Sequence, residues 1–137
     1  MKNTATARYA GHLRTEATHT ASGNAIQTDA PVDNHGRGEA FSPTDLVSTA
    51  LGSCMMTVMG IVAERHQWDL VGSSFAVVKH MSTEAPRRIA QIDVTFTLPA
   101  SLAPTERTIL ERAAHTCPVG LSLHPDVRQN IVFEYNG

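Results

Sequence analysis

The spacing of apolar and polar residues changes several times along the chain, and each change marks a different element. Residues 4–30 are rich in Thr and Ala and alternate in short runs around Ser22-Gly23-Asn24, which predicts two or three short antiparallel strands with a turn. Residues 30–41 show no periodicity and are predicted to form a loop. Apolar and polar residues alternate strictly over residues 90–98, the pattern of a half-buried strand, and residues 75–80 supply an antiparallel partner.

A long helix is predicted to begin at Pro43. Ser42 is a typical N-cap, Pro43 suits the first helical position, and Asp45 resembles the acidic member of a capping box. The helix should extend to about residue 66, and residues 46–63 contain no charge. Ser, Thr and Gly dilute that stretch below what a bilayer span requires, so we expect a buried helix of a soluble protein.

A second helix and a final strand complete the pattern. Pro104 opens the helix, Cys117 lies on its apolar face, and Pro118 disfavours its continuation. Residues 131–135 alternate as a short strand. This order of elements predicts an α+β architecture in a single domain over residues 1–137. So short a chain cannot cover a long helix that is apolar nearly all round, so we expect a homodimer.

Composition and charge narrow the classes of function. The 137 residues include 11 Lys and Arg and 13 Asp and Glu, for a formal net charge of -2. Because the basic residues are scattered, we expect neither nucleic acid nor a membrane as a partner. No apolar run follows the first residues, which predicts no signal peptide and a cytoplasmic protein. In a reducing compartment, two cysteines indicate either inert buried thiols or redox chemistry.

Cys54 and Cys117 are the candidate reactive groups. The helix dipole favours a thiolate mainly in the first turn of a helix, and Cys54 lies well past the first turn of the long helix. Because an apolar site raises the pKa of a thiol, a reactive Cys54 would require a nearby cation or hydrogen-bond donor. Cys117 is predicted at the carbonyl end of the second helix, which favours a neutral thiol. Either cysteine alone is more often a packing residue, so the redox interpretation depends on the pair.

Metal binding is the competing use of Cys and His. The seven His and two Cys show no C-x-x-C or H-x-x-x-H spacing, and His115-Thr116-Cys117 is too short a cluster to define a site. The sequence also has no Gly-rich phosphate loop and no nucleophile elbow. We therefore expect no metal and no separate cofactor.

Two segments resemble the OsmC/Ohr family, which comprises osmotically inducible protein C and the organic hydroperoxide resistance proteins. In the first, from Phe41 to Cys54, a polar residue and Pro open a long central helix of small residues that carries a cysteine. The second is Ala113-Ala114-His115-Thr116-Cys117-Pro118-Val119, which is similar to the family's motif around its second cysteine.

The resemblance implies an OsmC-like fold, with antiparallel sheets around a long central helix in an intertwined homodimer. It implies that Cys54 attacks a peroxide and becomes a sulfenic acid, which Cys117 resolves as a Cys54–Cys117 disulfide. The implied function is a thiol peroxidase in oxidative stress defence. Its substrates would be organic hydroperoxides, alkyl or fatty-acid, and a lipoyl-type or other small dithiol would be the reductant.

One departure from the family concerns the residue after Pro43. Family members with peroxidase activity usually carry Glu there, paired with a catalytic Arg, whereas this chain has Thr44. Glu39 is the candidate substitute, and Arg37 or Arg14 is the candidate catalytic arginine. The alternative function, from another class, is a non-enzymatic OsmC-like dimer that binds an apolar small molecule and uses both cysteines for packing.

Overall fold

The computed structural model describes residues 2–137, which divide into two compact units, one extending to Leu46 and the other comprising Val47–Gly137. The α+β prediction is confirmed, whereas the single domain over residues 1–137 stays a prediction, and its first residue lies outside the described range. The elements are β1 Ala5–Gly11, β2 Arg14–His19, β3 Ala25–Asp29, a 3-10 turn at Val32–Asn34, α1 Pro43–Arg65, β4 Ser74–Met81, β5 Ile89–Thr97, α2 Pro104–Ala114, α3 Pro118–Ser122 and β6 Arg128–Glu134.

The first sheet is an antiparallel meander in the order β1-β2-β3, as the sequence predicts. A loop over residues 20–24, which contains the predicted Ser22-Gly23-Asn24 turn, joins β2 to β3. Arg14 at the start of β2 is paired in register with Asp29 at the end of β3. Within these three strands only Thr28 and Asp29 are buried, so β3 places a carboxylate in a buried position.

The second sheet has the order β4-β5-β6, and its pairings differ in direction. β4 is antiparallel to β5, as predicted, but β6 is parallel to β5, which departs from the antiparallel sheets that the resemblance implied. The reason is the connection: α2 and α3 lie between the two strands, and a helical crossover returns the chain in the same direction. Ile92, Val94 and Phe96 of β5 are fully buried, as their alternation predicts.

One face of α1 packs into the core of the second unit. Its buried residues fall on one helical stripe and share a cluster with β5 and α2: Leu51, Met55, Met59, Ala63, Ile92, Val94, Phe96, Leu110 and Ala114. Gly52 lies on this side of the helix, where a Cβ would come within 2.5 Å of the Phe75 ring. The absence of a side chain at Gly52 therefore allows β4 to approach α1 closely.

The start of α1 follows the predicted capping box. The Ser42 hydroxyl accepts a hydrogen bond from the Asp45 N–H at 3.1 Å, and the Asp45 carboxylate accepts one from the Ser42 N–H at 3.0 Å. The opposite side of the helix remains partly open, with Val47 and Ile61 exposed by 36% and 47%. α1 is long and apolar enough to span a membrane by length and composition alone, a property that core helices of soluble proteins share.

The second predicted helix is divided in two, which corrects the predicted position of Cys117. α2 ends at Ala114, and Cys117 is the N-cap of the five-residue helix α3 rather than the end of α2. Pro118 prevents α2 from continuing, because proline has no backbone N–H to donate to the carbonyl four residues earlier. Proline suits the first position of a helix, and Pro118 begins α3.

Candidate functional site

The fold brings the two cysteines together in the second unit. Cys54 of α1 is half-buried, whereas Cys117 is only 2% exposed, and both are free thiols. The side chains are close enough to share a hydrogen bond, and Cys54 packs against the core cluster that contains Cys117. An accessible thiol beside a buried one is an arrangement that can form a disulfide after the accessible sulfur is oxidised.

Burial is the main cause of the raised pKa of the Cys117 thiol. The backbone N–H of Gly120 opposes this rise, Cys54 adds to it through a hydrogen bond and charge, and the N–H of Val119 opposes it. Cys117 is therefore a neutral thiol at pH 7, as predicted. The predicted cause was wrong, because Cys117 faces the N–H groups of α3 rather than the carbonyls of α2.

Two residues that no sequence motif marks, Gly120 and Gln129, hold Cys117 in place. The Gly120 N–H donates to Cys117 Sγ at 3.2 Å, and Gln129 Nε2 donates to the Gly120 carbonyl at 3.0 Å. Gln129 belongs to β6, so this contact ties α3 to the sheet. A Cβ on Gly120 would lie only 3.3 Å from Cys117 Sγ, which explains why a glycine suits this position.

A second cluster, within the first unit, contains the predicted residues Arg14 and Glu39. Arg14 donates from Nε and Nη2 to both oxygens of Asp29, at 2.7 and 2.8 Å, and from Nη2 to Glu39 Oε1 at 3.1 Å. Asp29 also accepts the Glu39 N–H at 3.1 Å. The Asp29 side chain is fully buried, whereas that of Glu39 is 66% exposed. Asp29 is thus the fixed partner of Arg14, a pairing that the sequence did not predict.

The charges in this cluster support one another. Hydrogen bonding to Arg14 is the main cause that lowers the pKa of Asp29, and burial opposes it. The charge of Arg37 lowers the same pKa, so the exposed Arg37 also lies near this carboxylate. Hydrogen bonding to Asp29 in turn raises the pKa of Arg14. The fold therefore groups all three candidates of the loop and the N-terminal strands, namely Arg14, Arg37 and Glu39, around Asp29.

Ionised Asp29 should make folding stability depend on acid pH. Since its pKa is lowered in the folded state, its contribution is fully present above about pH 4 and is lost as pH falls through the lowered value. We expect Asp29→Asn to flatten the decline of stability below pH 4, measured as melting temperature between pH 2 and 7. Asp126→Asn, which removes an exposed carboxylate, serves as control. A curve for Asp29→Asn that parallels the wild type would contradict this role.

The match to a family model decides the identity of the fold. The model, described as OsmC-like protein, matches residues 36–131. The chain belongs to the OsmC-like family. It is also 44% identical to a candidate osmotic stress induced and detoxification response protein from Psychrobacter arcticus 273-4, with a TM-score of 0.93 and coverage of 97% of this chain and 96% of that chain. The predicted OsmC-like fold is thereby confirmed.

Two organic hydroperoxide resistance proteins share the OsmC-like fold at lower identity. The protein from Legionella pneumophila is 17% identical, with a TM-score of 0.73 and coverage of 95% of this chain and 94% of that chain. The protein from Elizabethkingia anophelis, which has crystallant-derived thiocyanate bound, is 12% identical, with a TM-score of 0.76 and coverage of 96% and 94%. No curated protein matches the chain. Across residues 2–137, no three or more His, Cys, Asp or Glu side chains are grouped to hold a metal ion.

Proposed function

We propose that this OsmC-like protein is a thiol peroxidase that reduces organic hydroperoxides. Membership of a family that includes organic hydroperoxide resistance proteins supports a general role in oxidative stress defence. The observation that carries the finer proposal is the contact between a half-buried Cys54 and a buried Cys117. The difference in exposure supports the proposed order of events, because a peroxide would reach Cys54 first.

The proposed reaction has three steps. The Cys54 thiolate attacks the distal peroxide oxygen, the O–O bond breaks, and the alkoxide takes a proton and leaves as an alcohol. Cys117 then attacks the sulfenic sulfur, so that an S–S bond forms, the S–O bond breaks and water leaves. A lipoyl-type or other small dithiol reduces the disulfide by exchange and is itself oxidised.

The surroundings of Cys54 support an organic substrate. Leu51 and Met55, its neighbours on α1, belong to the core cluster against which Cys54 packs. An alkyl or fatty-acid tail that enters such surroundings gains about 25 cal/mol for each Å² of apolar surface removed from water. Hydrogen peroxide has no such tail. A steady-state assay with a dithiol and a panel of peroxides tests the proposal, and equal or better turnover of hydrogen peroxide would contradict the substrate class.

Cys117→Ser should separate the two chemical steps. Without a second thiol, the Cys54 sulfenic acid persists, because a serine hydroxyl does not displace hydroxide from sulfur. We expect dimedone to label Cys54 after one equivalent of hydroperoxide, and higher oxidation states to accumulate with excess. Mass spectrometry of the trapped chain measures both. The same disulfide-linked product and the same turnover as the wild type would rule out Cys117 as the resolving residue.

An arginine is the proposed source of the positive charge that stabilises the Cys54 thiolate, with Arg14 and Arg37 as the candidates. A charge-assisted interaction contributes roughly 1.5 to 3 kcal/mol, so its loss should slow alkylation of Cys54 at pH 7 by about tenfold or more. We expect this in Arg14→Met or Arg37→Met. Arg8→Met, which removes an exposed arginine paired with Glu16, is the matched control. Unchanged rates in both test variants would refute the arginine assignment.

A homodimer is part of the proposal. The open side of α1 presents Val47 and Ile61, and a second copy of the chain would remove them from water. Light scattering at low micromolar concentration tests this, and a stable monomer would contradict it. The cytoplasmic location and the absence of nucleic acid or membrane partners stay predictions from the sequence.

The alternative function, an apolar ligand carrier, has one structural feature in its favour. A groove of about 560 Å³ lies beside the C-terminal half of α1 and is lined by residues that include Met56, Gly60, Trp68 and Leu70. Its size is typical of small-molecule sites. Titration of free thiols with an organic hydroperoxide separates the two functions, because the peroxidase loses two thiols per chain and the carrier loses none.

A further inference from the structure

We infer that Gln129 positions the resolving thiol through Gly120, so that strand β6 controls how fast the Cys54–Cys117 disulfide closes. This inference rests on the proposed function, because it takes Cys117 as the sulfur that resolves the oxidised Cys54. It assigns Gln129 the role of a positioning residue, which acts on the reacting sulfur through a backbone amide.

Helix α3 needs an external anchor. It has five residues, none of them buried, and so short a helix is not stable by itself. β6, by contrast, is hydrogen-bonded to the central strand of its sheet, where Gln129 pairs with the fully buried Ile92. The 3.0 Å hydrogen bond from Gln129 Nε2 to the Gly120 carbonyl therefore transfers the rigidity of the sheet to α3.

The anchor at Gln129 acts on the Cys117 sulfur through Gly120. A carbonyl fixed by Gln129 restricts the orientation of the short helix, whose Gly120 N–H points at Cys117 Sγ at 3.2 Å. Cys117 attacks the oxidised Cys54 as a thiolate, and this N–H stabilises the negative charge that the sulfur acquires when the thiol loses its proton. The buried position of Cys117 disfavours that charge, which makes a fixed donor matter more.

The space around Gly120 is tightly filled. A Cβ at this position would lie 3.2 Å from Gln129 Oε1, 3.3 Å from Cys117 Sγ and 3.5 Å from Leu51 Cδ1. Any side chain here would push the sulfur or the amide of Gln129 away. The absence of a side chain at Gly120 therefore allows the Gln129 amide and the Cys117 sulfur to approach α3 at the same point.

The test uses the aromatic disulfide 5,5'-dithiobis(2-nitrobenzoic acid) and the full chain, so that it requires no peroxide. The Cys54 thiolate attacks the reagent, forms a mixed disulfide and releases one aromatic thiolate. Cys117 then attacks the Cys54 sulfur of the mixed disulfide, forms the intramolecular S–S bond and releases a second. Absorbance follows both phases, and Cys117→Ser, which should lose the second phase, assigns it.

In Gln129→Met, which is close in size but has no amide donor, we expect the second phase to be about 3- to 10-fold slower while the first is unchanged. Asn130→Ala is the control, because the Asn130 side chain, at the adjacent position on β6, donates its hydrogen bond to Asp93 instead of to α3. Gly120→Ala should also slow the second phase, because its Cβ would lie 3.3 Å from Cys117 Sγ and 3.2 Å from Gln129 Oε1.

A second phase at the wild-type rate in Gln129→Met, an equal slowing of both phases, or the absence of a second phase in the wild type would overturn the inference. The proposed function fails on a different observation. A wild-type protein that closes its disulfide in two phases but consumes no organic hydroperoxide is not a peroxidase, yet its Gln129 can still position Cys117.

Discussion

Replacing Cys54 by serine should abolish hydroperoxide consumption, with turnover at least about 1000-fold below that of the wild type. A serine hydroxyl is not ionised at neutral pH, and its oxygen cannot accept a second oxygen as sulfur does in a sulfenic acid. Cys54 is half-buried and serine is close to it in size, so the fold should be retained. The measurement is consumption of tert-butyl hydroperoxide in the presence of excess small dithiol.

The control for this result is Cys117→Ser, which keeps the attacking thiol and removes only its resolving partner. It should consume about one equivalent of hydroperoxide rapidly, even where continuous turnover is impaired. Circular dichroism of both variants checks that α1 and the sheets are intact. Substantial turnover by Cys54→Ser would refute the assignment of Cys54. If Cys54→Ser rapidly consumed one equivalent of hydroperoxide and Cys117→Ser did not, the roles of the two cysteines would be reversed.

The parts of the fold that follow from local signals could be predicted from the sequence. Ser42, Pro43 and Asp45 correctly predict that α1 begins at Pro43, because a helix cap depends only on residues that are adjacent in sequence. The alternation along β5 likewise predicts which side chains are buried. Both cysteines were identified from motifs, and the fold places them in contact, which spacing alone could not show.

The parts that were missed depend on contacts between residues distant in sequence. The predicted turn lies in the loop over residues 20–24. The pairing of Arg14 with Asp29 depends on the exact length of that loop, which the sequence pattern does not give. The buried acidic partner of Arg14 therefore could not be predicted. The direction of β6 depends on how the crossover through α2 and α3 packs. Gln129 lies nine positions beyond Gly120, and no periodic pattern links them.

Two glycines on α1 should respond to the same substitution with opposite signs. A Cβ on Gly52 would come within 2.5 Å of the Phe75 ring, whereas one on Gly60 would have no heavy atom within 4 Å. Phe75 cannot easily withdraw, since its ring packs against the fully buried Phe96 at a centroid distance of 5.8 Å. The two positions share one helix, so intrinsic helix propensity acts equally on both.

Overpacking of a core typically costs about 1–3 kcal/mol, and we expect Gly52→Ala to lower the free energy of unfolding by an amount in this range. Gly60→Ala should raise it by about 0.5–1 kcal/mol, because alanine loses less conformational entropy than glycine in a helix. Urea denaturation at one fixed protein concentration measures both, since the stability of a dimer depends on concentration. If Gly52→Ala stabilises the protein, the close approach of β4 to α1 at Phe75 is wrong. If Gly60→Ala destabilises the protein as strongly as Gly52→Ala, the space beside Gly60 is not open.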